Sequence, residues 1–186
     1  MRFVYLLLMI LPGYALAAGG GDGDGDGGGT TWTNPPATTK TTKNCKGVKV
    51  WDTKTKTCVS PKESRLDQDI LMGAVRELAY AGRNEDAQGV LRQMSDQNDD
   101  LVLTYWGFTS RKLGKGDLAR VYYTRAISRN PDNILARSYM GQGLVTDGRI
   151  DEAIEQWREI QARGGAGTWA EASLRAAIRT GITYNY

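Results

Sequence analysis

The chain contains no histidine. That absence excludes Ser-His-Asp and Cys-His catalytic arrangements and every metal site built on imidazole. Cysteine is nearly absent too: Cys45 and Cys58 are the only two. Two thiolates without a histidine do not complete a structural zinc shell, and the twelve residues between them are unlike the two that separate a redox dithiol. The chain also lacks a run of the ~20 apolar residues that a membrane span requires. Its one unbroken apolar stretch, residues 3–11, is too short. There is no marked excess of either charge: 24 Lys and Arg stand against 21 Asp and Glu, a formal net charge of +3. Bulk charge therefore does not indicate nucleic acid as a partner. Phosphate-binding signatures are missing as well. Residues 109–116 end in Leu-Gly-Lys-Gly but lack the first glycine and the hydroxyl residue of a phosphate loop. Gly141-Gln142-Gly143 falls inside a helical pattern rather than after a strand. No cofactor, metal, nucleic acid or stable membrane insertion is expected.

The N-terminus has a recognisable purpose. Arg2, the apolar run, Pro12-Gly13 and then Ala15-Leu16-Ala17 read as a secretory signal over residues 1–17, cleaved near Ala17/Ala18. The expected location is the periplasm or the exterior. Residues 18–43 are Gly/Asp-rich and then Thr/Pro-rich, with no apolar periodicity, and are expected to form a disordered linker. Asp22, Asp24 and Asp26 copy the opening of a calcium loop, but Thr33 stands where the bidentate glutamate belongs and no helix enters, so the linker reading is preferred.

In an exported protein the two cysteines most simply pair with each other. Residues 44–60 then form a small hairpin, stapled at its base, with Asp52-Thr53-Lys54 at the turn. Closing so short a loop contributes ~3 kcal/mol on the chain-entropy argument. Seven lysines (Lys40, Lys43, Lys46, Lys49, Lys54, Lys56 and Lys62) crowd this region beside a single acid, Asp52, and read as a solubilising surface. Trp51 leaves open a role for the hairpin as a glycan-binding patch.

The remainder, residues 61–186, is expected to be all-α. Gly107, Gly114, Ala119, Tyr123 and Ala126 recur 34 residues later as Gly141, Gly148, Ala153, Trp157 and Ile160. A fainter copy, Gly82, Ala87, Leu91 and Met94, lies 32 residues upstream of the middle set. A fixed period of this length marks stacked helical hairpins. Ser60-Pro61 followed by Glu63 predicts a helix start there, running to residue 80. Further helices are expected over 85–94, 100–113, 117–128, 133–146 and 151–162. A last one, capped by Thr168-Trp169-Ala170-Glu171, should reach about residue 179 and cover the end of the stack. Gly82, Gly114 and Gly148 fall at the turns, and Gly107 is expected to face Ala119 where two helices approach closely. Gly143 has no evident role.

These residues resemble the tetratricopeptide repeat: Trp106-Gly107, Gly114, Ala119, Tyr123, Ala126 and Pro131 in the middle copy, then Met140-Gly141, Gly148, Ala153 and Trp157 in the third. The first copy departs at Ala74-Val75, which reverses the bulky-then-small pair. The resemblance covers roughly residues 68–165 and implies a short solenoid of about three repeats whose first helices line a concave groove. By register, that groove would be lined by Met72, Arg76, Tyr80, Leu101, Tyr105, Phe108, Arg111, Lys112, Tyr139 and Gln142. Tyr105, Phe108 and Tyr139 are the candidate anchors, with core packing between repeats as the alternative for these aromatics. The implied activity is non-enzymatic: a scaffold or adaptor that binds an envelope or exported protein, through an acidic or C-terminal segment that meets Arg76, Arg111 and Lys112. The set of basic residues and asparagines with which some members hold chaperone tails is missing. Two alternatives stand beside this reading: a glycan-binding hairpin around Trp51, and a cell-wall glycan hydrolase using paired carboxylates. Aromatics and arginines in the groove would favour the adaptor, whereas facing carboxylates would favour the hydrolase.

Overall fold

Seven helix segments from residue 68 onward follow one another as pairs with a single helix at the end. In the computed structural model, which describes residues 40–62 and 66–183, they are α2 (Gln68–Tyr80), α3 (Asn84–Leu91), α4 (Asp100–Lys112), α5 (Gly116–Arg129), α6 (Ile134–Thr146), α7 (Ile150–Ala162) and α8 (Trp169–Thr180). They are preceded by α1 (Lys40–Asn44) and two short strands, β1 (Val50–Asp52) and β2 (Thr57–Val59). The predicted signal segment, the Asp22/Asp24/Asp26 motif and Glu63 lie outside the described residues. No described helix is long and apolar enough to cross a membrane.

Local chemistry sets most of the helix starts. Asp99 accepts from the backbone N of Leu101 and Val102 at 2.9 and 3.0 Å, Asn133 from Ala136 N at 2.7 Å, and Thr168 from Glu171 N at 3.2 Å. Each side chain satisfies an otherwise unpaired donor of a first turn. Gly82, Gly114 and Gly148 end α2, α4 and α6 with φ of +77°, +77° and +74°, a conformation that costs little only without a Cβ. The predicted start at Ser60-Pro61 is corrected. Ser60, Pro61 and Lys62 are not helical, and α2 begins seven residues later, where Asp67 Oδ1 accepts from Ile70 N at 2.9 Å. Lys40–Asn44 forms α1, so the last residues of the predicted linker are helical.

The pairs α2/α3, α4/α5 and α6/α7 pack internally, the first helices α2, α4 and α6 contact one another in turn, and α8 packs on α6 and α7. Two glycines inside first helices mark close approaches. A Cβ at Gly107 would stand 2.5 and 2.6 Å from ring atoms of Tyr123, and one at Gly141 would stand 2.6 and 2.7 Å from the methyls of Leu174. Gly107 thus lies directly under the Tyr123 ring of its partner helix α5. The nearest neighbour of Gly141 is Leu174 of α8, from outside its own helix pair. Trp157 Nε1 donates to Glu171 Oε1 at 2.6 Å and Ser138 Oγ to Ala170 O at 2.7 Å, which fixes α8 in place.

The strands pair antiparallel in the register Val50↔Val59, Trp51↔Cys58 and Asp52↔Thr57, with Lys56 at φ 55° in the turn. Cys45 and Cys58 are bonded, with Cα atoms 5.6 Å apart. Because Cys58 lies opposite Trp51, the bridge ties β2 to the residue after α1 and does not join the two strands at their base. The hairpin rests on α2 and α3. Val50 is buried, Arg83 donates to Cys45 O and Gly47 O at 2.9 and 2.7 Å, and Val48 sits where a Cβ at Gly89 would be. Glu77, buried in α2, accepts from Thr42 N at 2.8 Å and from the Thr42 hydroxyl. Replacing Glu77 by Ala strips a buried network of its acceptor and should cost about 1.5–3 kcal/mol. The expected outcome is faster proteolysis within residues 40–60 while α4–α8 remain protected; unchanged cleavage would show that Glu77 does not hold this segment.

Candidate functional site

The aromatic residues of the first helices meet in the interior. Tyr80 stacks on Phe108 with ring centroids 5.5 Å apart and planes 6° apart; Phe108 lies 4.8 Å from Tyr139, and Tyr105 lies 6.1 and 6.3 Å from Phe108 and Tyr139. Trp169 of α8 closes this cluster at 6.3 Å from Tyr80. The hydroxyls are paired within it: Tyr80 and Tyr139 share a hydrogen bond, and Arg76 Nε donates to the Tyr105 oxygen at 3.1 Å. Burial raises the pKa of Tyr105, against the pull of the neighbouring Arg76, and raises that of Tyr139 further, since Tyr105 and Tyr80 beside it act in the same direction.

Seven of the ten residues assigned to the groove by register (Met72, Arg76, Tyr80, Tyr105, Phe108, Tyr139 and Gln142) are therefore buried, while Leu101, Arg111 and Lys112 are partly exposed. Tyr105, Phe108 and Tyr139 are enclosed by their neighbours and present no free ring face to an incoming chain. Lys112 lies over the Phe108 ring at 5.4 Å, and burial together with the adjacent Arg111 pushes its pKa down to about 8.

The open surface lies elsewhere. A cleft of about 720 Å³ runs across the starts of α2, α4 and α6. Met72, Met94, Leu101, Val102, Ile134 and Leu135 give it an apolar floor, and Asp69, Asp96, Asp99, Asp100 and Asp132 give it an acidic rim with one cation, Arg163. Of the anticipated groove residues, only Met72 and Leu101 line it. Most of the rim carboxylates also have local tasks. Asp99 caps α4, Asp96 accepts from Asn98 N at 2.8 Å, Asp100 Oδ2 accepts from the amides of Asn130 and Asn133 at 2.9 and 2.7 Å, and Asp132 pairs with Arg163 at 2.7 Å. Asp69 points to solvent from the first turn of α2. Gln68 Oε1 accepts from Ser95 N at 2.8 Å and links two sides of the cleft.

The lining thus holds carboxylates where the adaptor reading asked for aromatics and arginines. Reasoning from the sequence assigned the groove by repeat register and did not ask whether the aspartates before successive first helices share one side. The available signal was the crowding of Asp96, Asp99 and Asp100 in one loop, with Asp132 beginning the next.

Trp51 is half-buried, with Lys40 Nζ 5.3 Å from its ring centroid, so the hairpin offers only part of that ring. No group of three or more potential metal ligands occurs among the described residues. Comparison of the chain with models of protein families, with curated proteins and with solved structures finds no match.

Proposed function

We propose that this protein is a non-catalytic binding module of the tetratricopeptide type, an exported adaptor whose acidic cleft holds a basic, apolar segment of another envelope protein. The observation that carries this reading is the cleft itself, with an apolar floor across three helix starts and five carboxylates against one arginine at the rim. An extended segment with alternating apolar and Lys or Arg side chains would bury the former on Met72, Leu101 and Leu135 and set the latter beside the aspartates. Charge of this kind contributes chiefly to encounter rate and choice of partner. A basic segment takes the place of the acidic one expected from the groove register because the cleft is lined by carboxylates and by none of Arg76, Arg111 and Lys112, and Arg76 is turned inward onto Tyr105.

The test is fluorescence anisotropy with a labelled peptide of alternating Leu and Lys. Binding should weaken with added salt. Converting both Asp69 and Asp96 to Lys should weaken it about tenfold or more, while Asp99, which caps α4, is left in place. Equal affinity in the double variant would remove the cleft from the binding reaction.

The glycan-hydrolase reading gains from the same carboxylates. Against it, four of the five are committed to a cap, a turn, two asparagines and an arginine, whereas a general acid needs a carboxyl kept protonated by an apolar pocket. Release of reducing ends from purified cell-wall glycan, lost in Asp69→Asn, would favour hydrolysis over binding.

A further inference from the structure

The last turn of α4 carries a guanidinium with nothing to neutralise it. Arg83, Arg120, Arg137, Arg149 and Arg163 each face a carboxylate within 4.0 Å. Arg111 has no carboxylate within 4.0 Å among the described residues, and its Nε and Nη2 are enclosed without an acceptor; its guanidinium lies 5.9 Å from the Phe108 ring centroid and beside the Tyr123 phenol. Its stem crosses α6 at Gly143, where a Cβ would press on Arg111 Cδ at 3.2 Å. An interior helical glycine costs ~1 kcal/mol relative to alanine, and the passage of Arg111 gives this one a purpose. Tyr123 lies nearby, 1% exposed, with only Arg111 beside its hydroxyl and no acceptor or donor at full hydrogen-bond geometry. Both residues border a cavity of about 230 Å³ among α4, α5 and α6, with Met140 and Leu144 as its apolar wall and Arg120, already engaged by Asp117 and Asp147, beside them.

An uncompensated charge held partly out of water is costly, and the usual remedy is a counter-charge. We propose that this cavity is a binding site for a small organic monocarboxylate, its carboxylate set against the Arg111 guanidinium and the Tyr123 phenol and its apolar stem against Met140 and Leu144. The planar guanidinium matches a carboxylate in shape. One free positive charge balances one negative charge, and Asp147 on the lining opposes a dianion such as phosphate. The volume lies below the ~300–1,000 Å³ usual for larger ligands, which keeps the stem short. The site is at the far end of α4 and α6 from the acidic cleft and does not depend on what that cleft holds.

The experiment titrates the full chain with sodium 4-methylpentanoate, its neutral amide and inorganic phosphate, followed by calorimetry and by melting temperature. The acid should bind and raise the Tm, with the amide and phosphate weaker by about tenfold or more, the scale of one charged hydrogen bond. Arg111→Met should weaken the acid to the same degree. It should also melt no lower than the parent without ligand, because it removes an unneutralised charge. Equal affinity for acid and amide, tighter binding of phosphate, no binding of the acid, or undiminished acid binding by Arg111→Met would each overturn the proposal. A ligand-free melt that falls in Arg111→Met would overturn it too, since the guanidinium would then already be compensated.

Discussion

Replacing Gly107 by Leu should destabilise the helical region by about 3 kcal/mol or more, the upper end of what overpacking costs. Even a Cβ at this position meets two ring atoms of Tyr123 at 2.5 and 2.6 Å, and Tyr123 is 1% exposed, so the ring can yield only by shifting toward the cavity it borders beside Arg111. Gly107→Ala should lose less, because alanine recovers ~1 kcal/mol of helix propensity. Gly73, also inside a first helix, supplies the contrast. A Cβ there meets nothing within 4 Å, and Gly73→Ala should stabilise by up to ~1 kcal/mol. Urea denaturation of the three variants gives the comparison. Adding Tyr123→Leu to Gly107→Ala should restore part of the loss, as coupling between touching residues requires. If Gly73→Ala and Gly107→Ala move stability in the same direction, the close approach at Gly107 is not real.

Alkaline pH should unfold the protein cooperatively, and the cause is the buried phenols. In an unfolded chain tyrosine ionises near pH ~10. In the folded chain burial pushes Tyr123 up to about 12 and raises Tyr105 and Tyr139 as well. Below pH 10 neither state has lost these protons and stability is whole. Above it the unfolded chain releases protons that the folded chain keeps, so stability falls as pH climbs toward the folded values. Tyr123 alone removes roughly 2–3 kcal/mol by pH 12, and the other two act in the same direction. Against total stabilities of about 5–15 kcal/mol, that is a large share from a single phenol, and the other two add to it. Lys112 runs the other way: its folded pKa of about 8 lies below the unfolded value of 10.5, so stability should first rise between those two pH values. Circular dichroism across the range, with tyrosinate absorbance in parallel, checks this. Phenol ionisation should coincide with loss of helix, and Tyr123→Phe should shift both to higher pH. Tyrosines that ionise near pH 10 in a chain that stays helical would show that the ring cluster is open to water.

The helices were legible in the sequence because their ends are chemically marked. Thr168 caps where the sequence predicts, and the glycines at 82, 114 and 148 take the left-handed turn; Asp99 and Asn133 are caps that the sequence reading did not single out. Ser60-Pro61 misled because a cap is a local preference, while a helix persists only where its apolar face meets a neighbour; the buried face of α2 starts at Leu71. The proposed binding surface was less legible. Register identifies which residues share a face but not how closely successive pairs approach. Here Tyr80, Tyr105, Phe108 and Tyr139 fill that space among themselves, and Trp169, from a helix outside the repeat, completes it. The acidic cleft and the isolated guanidinium arise from residues on different pairs, whose meeting depends on that approach.

The row of helix pairs has unlike covers at its two extremities. At one, the bridged hairpin lies on α2 and α3, with Val48 against Gly89 and Thr42 bound to Glu77; at the other, Leu174 of α8 sits in the space left by Gly141. Among the described residues each end of the row is thus covered by an element outside the helix pairs, the arrangement by which terminal caps shield a stack of helical pairs. Reductants that release Cys58 from Cys45 would loosen only the first of these terminal plugs, so any filament formation they provoke should nucleate at α2 and α3.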